Sequence, residues 1–482
     1  MNRRDFIGAA LMAAASAAAA PFALAGGLTD AEAREDMRIL RGALDLHPGL
    51  FRYNTPDEMA GRLSALEQAY VAADGLASRF LILSEFLAAV RCGHTHCNPY
   101  NQSDEVVASL FDRRTRVPFP FTWIDGEMVV LPNAGDLPAG STITRLNGQC
   151  PKALLRALLP YARTDGHNAG KQVALMTMQN SDTFETFDIF QGLIAPPAGG
   201  EHRVQARYPD GRELALDLPA LDLTERRAQQ ITEEKDGTSD PLWTWEVRDD
   251  IAILTMPTWV MYNSRWDWKA WLDERLASLG GLKGLVLDLR LNEGGNECGN
   301  VILSRLASTD LQFPGYQQRV RFRQTPAELD PYLDTWDRSF RTLGQAARDM
   351  GDGFLVLPSE MEATDLIPAT EPKITVPVAA LVGPACSSAT FSFARRAQEA
   401  GLVRLFGEQT GGNLRGINGS AYFFVRLPGS GLEFDVPLIG FFPLVERPDR
   451  GIPPDVEVRQ TESDIADGFD RCMETAIAWC RG

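Results

Sequence analysis

Gly284-Leu285-Val286-Leu287-Asp288-Leu289-Arg290-Leu291-Asn292-Glu293-Gly294-Gly295-Asn296 is the stretch that decides the fold. The apolar residues from Leu282 to Leu289 read as a buried strand, which gives way to paired glycines and then to a further helix. Glycines at such a turn let the backbone approach a substrate closely. Main-chain N–H groups presented there are the donors that an acyl-transfer enzyme aims at a developing oxyanion, worth about 3 to 4 kcal/mol per donor. The plainer reading is a tight turn.

Just upstream, Ile251-Ala252-Ile253-Leu254 and the 282–289 strand bracket a helical pattern from Trp266 to Leu279, which makes a βαβ unit. Downstream, a second buried strand from Val376 to Val382 runs into Pro384-Ala385-Cys386-Ser387-Ser388-Ala389-Thr390 and a helical stretch through Ala400. Another strand, Val403 to Phe406, follows almost at once. Strands alternating with helices predict an α/β domain on a largely parallel sheet, with its ligand site at the carboxyl ends of the strands. Both the glycine pair and Ser388 sit at such ends. A hydroxyl at Ser388 would meet a helix N-terminus whose dipole favours developing negative charge, although serine is also among the commonest helix caps.

Toward the N-terminus, Thr224 to Asp240 is polar and charge-rich and reads as a linker. Before it, short apolar or alternating runs (Phe119 to Trp123, Met128 to Leu131) are separated by Asp125-Gly126 and Pro132-Asn133 turns. Asp210-Gly211 between Val204–Tyr208 and Leu214–Leu218 is a hairpin signal. This β-rich module looks like a PDZ-type fold that captures an extended peptide as an added strand, or else it spaces two other domains. From Asp30 to Phe111 the pattern is helical. Thr55 before Pro56, with Glu58 three residues on, predicts a helix start with a capping box. The helix ending at Val90 delivers Arg91-Cys92-Gly93-His94-Thr95-His96-Cys97, a dense cluster of reactive side chains at a turn.

At 482 residues, 44% hydrophobic and 23% charged, the chain can bury a large core divided over two or three domains. A net charge of -17 argues against nucleic acid or an anionic membrane surface as partner. Asn2-Arg3-Arg4-Asp5-Phe6-Ile7 precedes an alanine-rich apolar stretch ending in Ala23-Leu24-Ala25, which reads as a twin-arginine signal peptide. Pro21 interrupts that run, which is short for a membrane anchor, and no later stretch approaches the ~20 apolar residues of a spanning helix. The mature chain is expected from about Gly26, exported to the periplasm or a similar compartment, with no membrane insertion. Disulfides are permitted there, and seven cysteines leave at least one unpaired within the chain.

The 284–296 stretch is similar to the D-x-R-x-N-x-G-G signature of the C-terminal-processing and tricorn-type serine peptidases, the tail-specific protease superfamily. Ser388-Ala389-Thr390 with Phe393-Ala394 resembles the family's nucleophile turn, Gly407-Glu408-Gln409-Thr410-Gly411-Gly412 falls at the expected distance after it, and Gly451-Ile452-Pro453-Pro454-Asp455-Val456 resembles its C-terminal strand. The likeness extends over nearly all the mature chain, including Leu46-His47-Pro48 and the PDZ-like middle. It implies a crotonase/ClpP-like α/β core in which Ser388 attacks the scissile carbonyl and the amides of Gly294 or Gly295 and of Ala389 form the oxyanion hole. The tail-specific branch uses a Ser-Lys dyad, but Asn413 stands at the lysine's position and no lysine lies nearby in sequence. The tricorn-type branch takes a histidine from the turn after the N-terminal helices, which Gly93-His94-Thr95 resembles.

His94 is therefore the expected general base, because an imidazole of pKa near 6.5 accepts a serine proton at neutral pH. Glu446, at roughly the family's spacing, and Glu408 are the acids expected to orient it. Cys92, His94, His96 and Cys97 are types that bind zinc, but four ligands within six consecutive residues can hardly close a tetrahedron. A Cys92–Cys97 disulfide bracing the turn is expected instead, with no metal and no cofactor. Cys386, at the end of a buried strand, is expected to be a packed thiol rather than a nucleophile.

The expected organisation is a signal peptide (1–25), a helical domain carrying His94 (26–112), a PDZ-like domain (113–222), a linker (223–241) and an α/β serine peptidase core (242–482). Two functions of different class follow: an exported serine peptidase acting on peptide or protein substrates, or a non-catalytic peptide-binding protein on the same fold.

Overall fold

The computed structural model describes residues 27–229, 239–313, 315–358 and 365–482. The expected signal peptide lies outside the described residues, as does the middle of the expected linker, 230–238.

The N-terminal region is helical because its turns are capped and its faces are apolar. Helices α1 (Asp30–Leu44), α2 (Pro56–Ala72), α3 (Gly75–Ala89) and α4 (Asp104–Leu110) follow one another. At the start of α2 the Thr55 hydroxyl accepts from the Glu58 amide at 3.2 Å, and Glu58 accepts from the Thr55 amide at 2.8 Å. Thr29 and Glu32 build the same box on α1. Phe80, Leu83 and Leu87 turn the face of α3 into the core, and the chain leaves it through Arg91 at a positive φ of 59°.

The middle module is a five-stranded antiparallel meander, β1 (Phe121–Ile124), β2 (Glu127–Val130), β3 (Thr142–Leu146), β4 (Glu201–Arg207) and β5 (Glu213–Pro219). Helices α5 (Pro151–Leu158), α6 (Ala169–Leu175) and α7 (Thr186–Ile194) lie between β3 and β4. The first part of the expected linker is not a linker but helix α8 (Leu223–Ala228), started by an Asp222/Glu225 capping box. Its Arg226 is fully buried and donates to Asp188 Oδ2 at 2.9 Å, to Asn180 and to the Val117 carbonyl, which ties α8 to the module. A polar composition signals a linker only if its charges stay in water, and here one does not.

After β6 (Thr244–Arg248), the α/β core follows the predicted alternation: β7 (Ile251–Thr255), α9 (Trp268–Ala277), β8 (Gly284–Asp288), α10 (Gly299–Leu306). Short strands β9 (Leu311–Phe313) through β14 (Asp365–Ile367) form an excursion, with β10 (Tyr316–Val320), β11 (Leu333–Asp334), β12 (Arg348–Asp349) and β13 (Leu355–Val356) inside it. The core resumes with β15 (Val378–Val382), α11 (Ser388–Glu399) and β16 (Arg404–Gly407), and after the hairpin β17 (Asn418–Arg426) and β18 (Glu433–Pro443) it closes with β19 (Val456–Glu457), α12 (Glu462–Ala466) and α13 (Arg471–Arg481). The core sheet has the order β19-β16-β15-β8-β7-β6. It is parallel except where β6 meets β7. Its strands alternate side by side: Ala252, Leu254, Leu285, Leu287, Ala380 and Leu405 face α9, α10 and α11, while Ile251, Ile253, Val286, Ala379, Leu381 and Phe406 face α13. Both faces are covered, which is why these strands read as continuous apolar runs.

A second six-stranded sheet, β11-β17-β18-β10-β13-β12, was not foreseen. Phe423, Val425, Phe434 and Val436 bury against the same apolar core as α1 to α3 and the middle module. Asp36 on α1 accepts from the amides of Gly429 (2.6 Å) and Ser430 (2.9 Å) at the β17–β18 turn. No helix among the described residues is long and apolar enough to cross a membrane.

Replacing Arg226 with alanine would leave buried Asp188 with only the Val117 amide at 3.2 Å and the more distant Arg116 at 4.0 Å, so the variant is expected to lose about 3 kcal/mol of stability, read from urea unfolding followed by tryptophan fluorescence.

Candidate active site

The parallel register of β8 with β15, in which Asp288 pairs with Leu381, brings two loops together at the carboxyl end of the sheet. One carries Asp288 to Gly295 and the other Pro384 to Ser388.

Each polar residue of the first loop has a structural task. Arg290 donates to both oxygens of Asp288 (2.9 and 2.6 Å) and to both oxygens of Asp470 (2.9 and 2.7 Å), so it fixes the loop's root to the segment before α13. Asn292 is fully buried. Its amide donates to the Met256 carbonyl at 2.7 Å, and its carbonyl accepts from the Gly294 amide at 2.8 Å and the Thr390 hydroxyl at 2.7 Å. Gly294 and Gly295 have φ of 105° and 131°, a backbone open to glycine. A Cβ on Gly294 would sit 2.8 Å from both the Ala389 nitrogen and Ser388 Cβ.

Ser388 is the first residue of α11 and carries a φ of 50°. A left-handed serine at a strand-to-helix turn is strained, and such strain persists where the surroundings hold it. Those surroundings are visible: the Gly411 and Gly412 amides donate to the Cys386 carbonyl at 2.7 and 3.2 Å, and Cys386 Sγ donates to the Leu289 carbonyl at 3.1 Å. Burial pushes the Cys386 thiol up to about 12, so it is a packed thiol. Among the described residues, neither the Gly295 nor the Ala389 amide has a protein acceptor, whereas the Gly294 amide is given to Asn292.

His94 stands on the turn after α3, and the residues on either side of it are anchored. The neighbouring Gly93 donates its amide to Asp165 Oδ1 at 2.9 Å, and its carbonyl accepts from Arg163 Nη1 at 2.9 Å. Thr95, on the other side, is hydrogen-bonded to His47 Nε2 at 2.8 Å. Because His47 Nδ1 accepts from the Gly49 amide (2.9 Å), Nε2 carries the ring proton and Thr95 Oγ1 accepts it. Burial lowers the pKa of His94; Asp165 opposes the fall, Arg163 and Lys171 add to it, and Glu293 opposes it. Its Nδ1 is buried without a hydrogen-bond partner among the described residues.

Cys92 and Cys97 are free thiols, contrary to the expected disulfide. They turn to different neighbours: Asn418 Nδ2 donates to Cys92 Sγ at 3.3 Å, and Cys97 is buried beside Ser84, with burial pushing its thiol up to about 12. The turn is braced by Arg163, Asp165 and His47 instead. No group of three or more His, Cys, Asp or Glu among the described residues is arranged to hold a metal.

His94 and Ser388 line one cavity of ≈ 1970 Å³, together with Gly294, Gly295 and Ala389. The two side chains are not hydrogen-bonded to each other. Glu408 also borders it, on the side of Arg459 and Glu457. Glu446 is exposed and outside the cavity lining.

Sequence reasoning missed Lys171. It lies on α6 of the middle module and is 1% exposed. Its Nζ donates to Glu293 Oε1 (2.8 Å), the Ala385 carbonyl (3.1 Å) and Ser387 Oγ (3.4 Å). Arg163 Nη2 donates to the other oxygen of Glu293 at 3.0 Å. Burial works against the Glu293 charge, but Lys171 and Arg163 overcome it and hold the carboxyl well below the usual range. Asn413, at the lysine position of the tail-specific branch, is fully buried and donates to the Asp165 carbonyl and to Asp449.

Residues 250–458 match the model of peptidase family S41. No curated protein sequence matches the chain. Among solved structures, mature CPAF complexed with lactacystin is similar at 14% identity, covering 94% of this chain and 98% of that one with a TM-score of 0.62. Mature CPAF alone gives 14% identity, 94% and 97% coverage and a TM-score of 0.58. The photosystem II D1 C-terminal processing protease gives 14% identity, 94% and 97% coverage and a TM-score of 0.43. At these identities the likeness to CPAF shows a shared fold.

His47 is buried and neutral, its pKa lowered to about 3 by burial and by the Arg52 charge. A base whose folded pKa is depressed contributes stability above its unfolded value and loses it as pH falls. Between about pH 7 and about pH 5 this one group is expected to withdraw about 2 kcal/mol. His47→Gln should lack that share of the acid sensitivity in urea titrations at the two pH values.

Proposed function

We propose, on the match of residues 250–458 to the model of peptidase family S41, that this chain is a serine peptidase with Ser388 as nucleophile and His94 as general base. The observation that carries the reading is the left-handed Ser388 at the start of α11, pressed against Gly294 in the cavity that His94 also lines.

The reaction follows from that geometry. His94 accepts the Ser388 proton as Oγ attacks the scissile carbonyl. The negative charge that develops on the carbonyl oxygen is met by the Gly295 and Ala389 amides at the positive end of α11. Of the three amides expected there, Gly294 is the one already donated, so it shapes the loop rather than the hole. His94 then gives its proton to the leaving amine, and water, deprotonated by the same ring, releases the acyl group. The absence of a direct hydrogen bond between His94 and Ser388 is compatible with this role, because such contacts tighten when substrate binds. The middle module lends Thr122, Trp123 and Tyr161 to the cavity wall, which supports a part for it in holding an extended peptide.

A fluorophosphonate probe is expected to label the purified protein and to fail on Ser388→Ala and His94→Ala. A folded wild type that stays unlabelled would leave the non-catalytic peptide binder as the reading. Because burial lowers the His94 pKa from 6.5, the base stays neutral into mildly acidic solution. The acidic limb of kcat/KM should therefore fall below pH 6.5, with activity lost as the ring protonates.

We further propose export by the twin-arginine route, on the strength of Arg3-Arg4 and the apolar run after them. Replacing both arginines with lysine is expected to leave the protein in the cytoplasmic fraction on cell fractionation.

A further inference from the structure

The loop between α5 and α6 reaches out of the middle module and touches every part of the candidate site. Arg163 and Asp165 hold Gly93 at its carbonyl and its amide, one residue from His94. A Cβ on Gly93 would lie 2.6 Å from Asp165 Oδ2, so the carboxylate packs directly on the backbone of the turn. Arg163 also takes one oxygen of Glu293 and Lys171 the other, and Glu293 is the residue before the Gly294-Gly295 pair. From Glu293 the Lys171 ammonium continues to Ala385 and Ser387 on the nucleophile turn. Between these anchors, Asn168 donates to the Thr410 and Gly412 carbonyls at 2.8 and 2.9 Å, beneath the same turn.

We propose that Arg163, Asp165 and Lys171 are positioning residues that hold His94 in register with Ser388 and the oxyanion loop, and that Asp165 is the acid that supports the His94 imidazolium. The inference rests on the assignment of Ser388 and His94. The geometry forms one continuous chain of contacts: His94 turn, Arg163 and Asp165, Glu293, Lys171, Ser388 turn. No other charged segment among the described residues spans both turns by hydrogen bonds. The charges acting on His94 are those of this same set, Asp165 and Glu293 against Arg163 and Lys171. Of the acids expected from sequence, Glu446 is exposed outside the cavity lining and Glu408 borders the cavity on the side of Arg459 and Glu457.

The ring of His94 becomes cationic when it takes the serine proton, and Asp165 is the strongest opposing charge on it. Its Oδ1 is used by Gly93, so asparagine at 165 can keep that hydrogen bond while removing the charge. Lys171 bears the opposite sign and acts on the ring in the opposite direction. Substitutions at the two positions must therefore move the acidic limb of activity in opposite directions, which a purely structural role would not do.

The test uses the full mature chain with a cleavable peptide and the fluorophosphonate probe. Asp165→Asn is expected to lower kcat by about 10- to 100-fold with KM within about 3-fold, and to shift the acidic limb to lower pH. Lys171→Met is expected to lower kcat similarly and shift the limb to higher pH. Should Lys171→Met leave Glu293 uncompensated and fail to fold, the Lys171→Met/Glu293→Gln double variant removes both charges and carries the same kcat and limb predictions relative to Glu293→Gln alone. Folded variants with wild-type kcat, or limbs that move together or not at all, overturn the inference. A wild type that neither cleaves nor labels, or a His94→Ala variant of full activity, instead overturns the assignment of the catalytic pair on which it rests.

Discussion

The close approach of Gly294 to Ser388 is the constraint on which the rest depends. It exists because β8 and β15 are adjacent and parallel, in a register that ends both strands at the same height. Two loops that leave a parallel sheet side by side must share the space above it, and here they share it with no side chain between them. Asn292 makes that contact rigid, since its one carbonyl serves both the Gly294 amide and the Thr390 hydroxyl across the gap. The glycine pair, the asparagine and the strained serine are thus parts of one packing solution. Moving any of them displaces the Gly295 and Ala389 amides relative to the Ser388 side chain.

That solution was legible in sequence because its parts are local. The continuous apolar runs around Leu285 and Ala380 marked the parallel core, and each interesting loop followed its own strand within a few residues. The Thr55/Glu58 capping box was equally local and is formed as expected. The β17–β18 hairpin was not foreseen, because its residues 418–426 and 433–443 are buried on much of both faces and lack a clean alternation. Arg226 misled in the opposite sense: a charge in a polar stretch was counted as solvated, and only the fold shows Asp188 and Asn180 waiting for it.

The cysteines teach a narrower lesson. Spacing made Cys92 and Cys97 look like partners, but Asn418 on β17 and Ser84 on α3 each claim one of them. The bracing that a disulfide was invoked to supply comes from Arg163, Asp165 and His47, which lie 70, 72 and 48 positions from the residues they hold. Lys171 is 216 positions from Ser387. No periodicity or motif can signal such a pairing; the one local hint was the polar density of Arg163-Thr164-Asp165-Gly166-His167-Asn168 in a loop.

A site assembled from three modules ties chemistry to folding in a specific way. The His94 turn comes from the helical region, the Ser388 turn and the Gly294-Gly295 loop from the α/β core, and the hydrogen bonds between them from the middle module. Asp165 and Lys171 are buried and Arg163 is partly buried, while Glu293 is exposed; removing a partner of a buried member leaves an uncompensated charge. Glu293 illustrates the balance, since Lys171 and Arg163 each take one of its oxygens and hold its carboxyl well below the usual range. The same two cations lie near His94 and favour its neutral form. One set of charges therefore ties the His94 turn to the Ser388 turn and favours the neutral imidazole. Docking of the middle module delivers both effects together, so a core without that module would retain the Ser388 turn while losing the hydrogen bonds that hold the His94 turn.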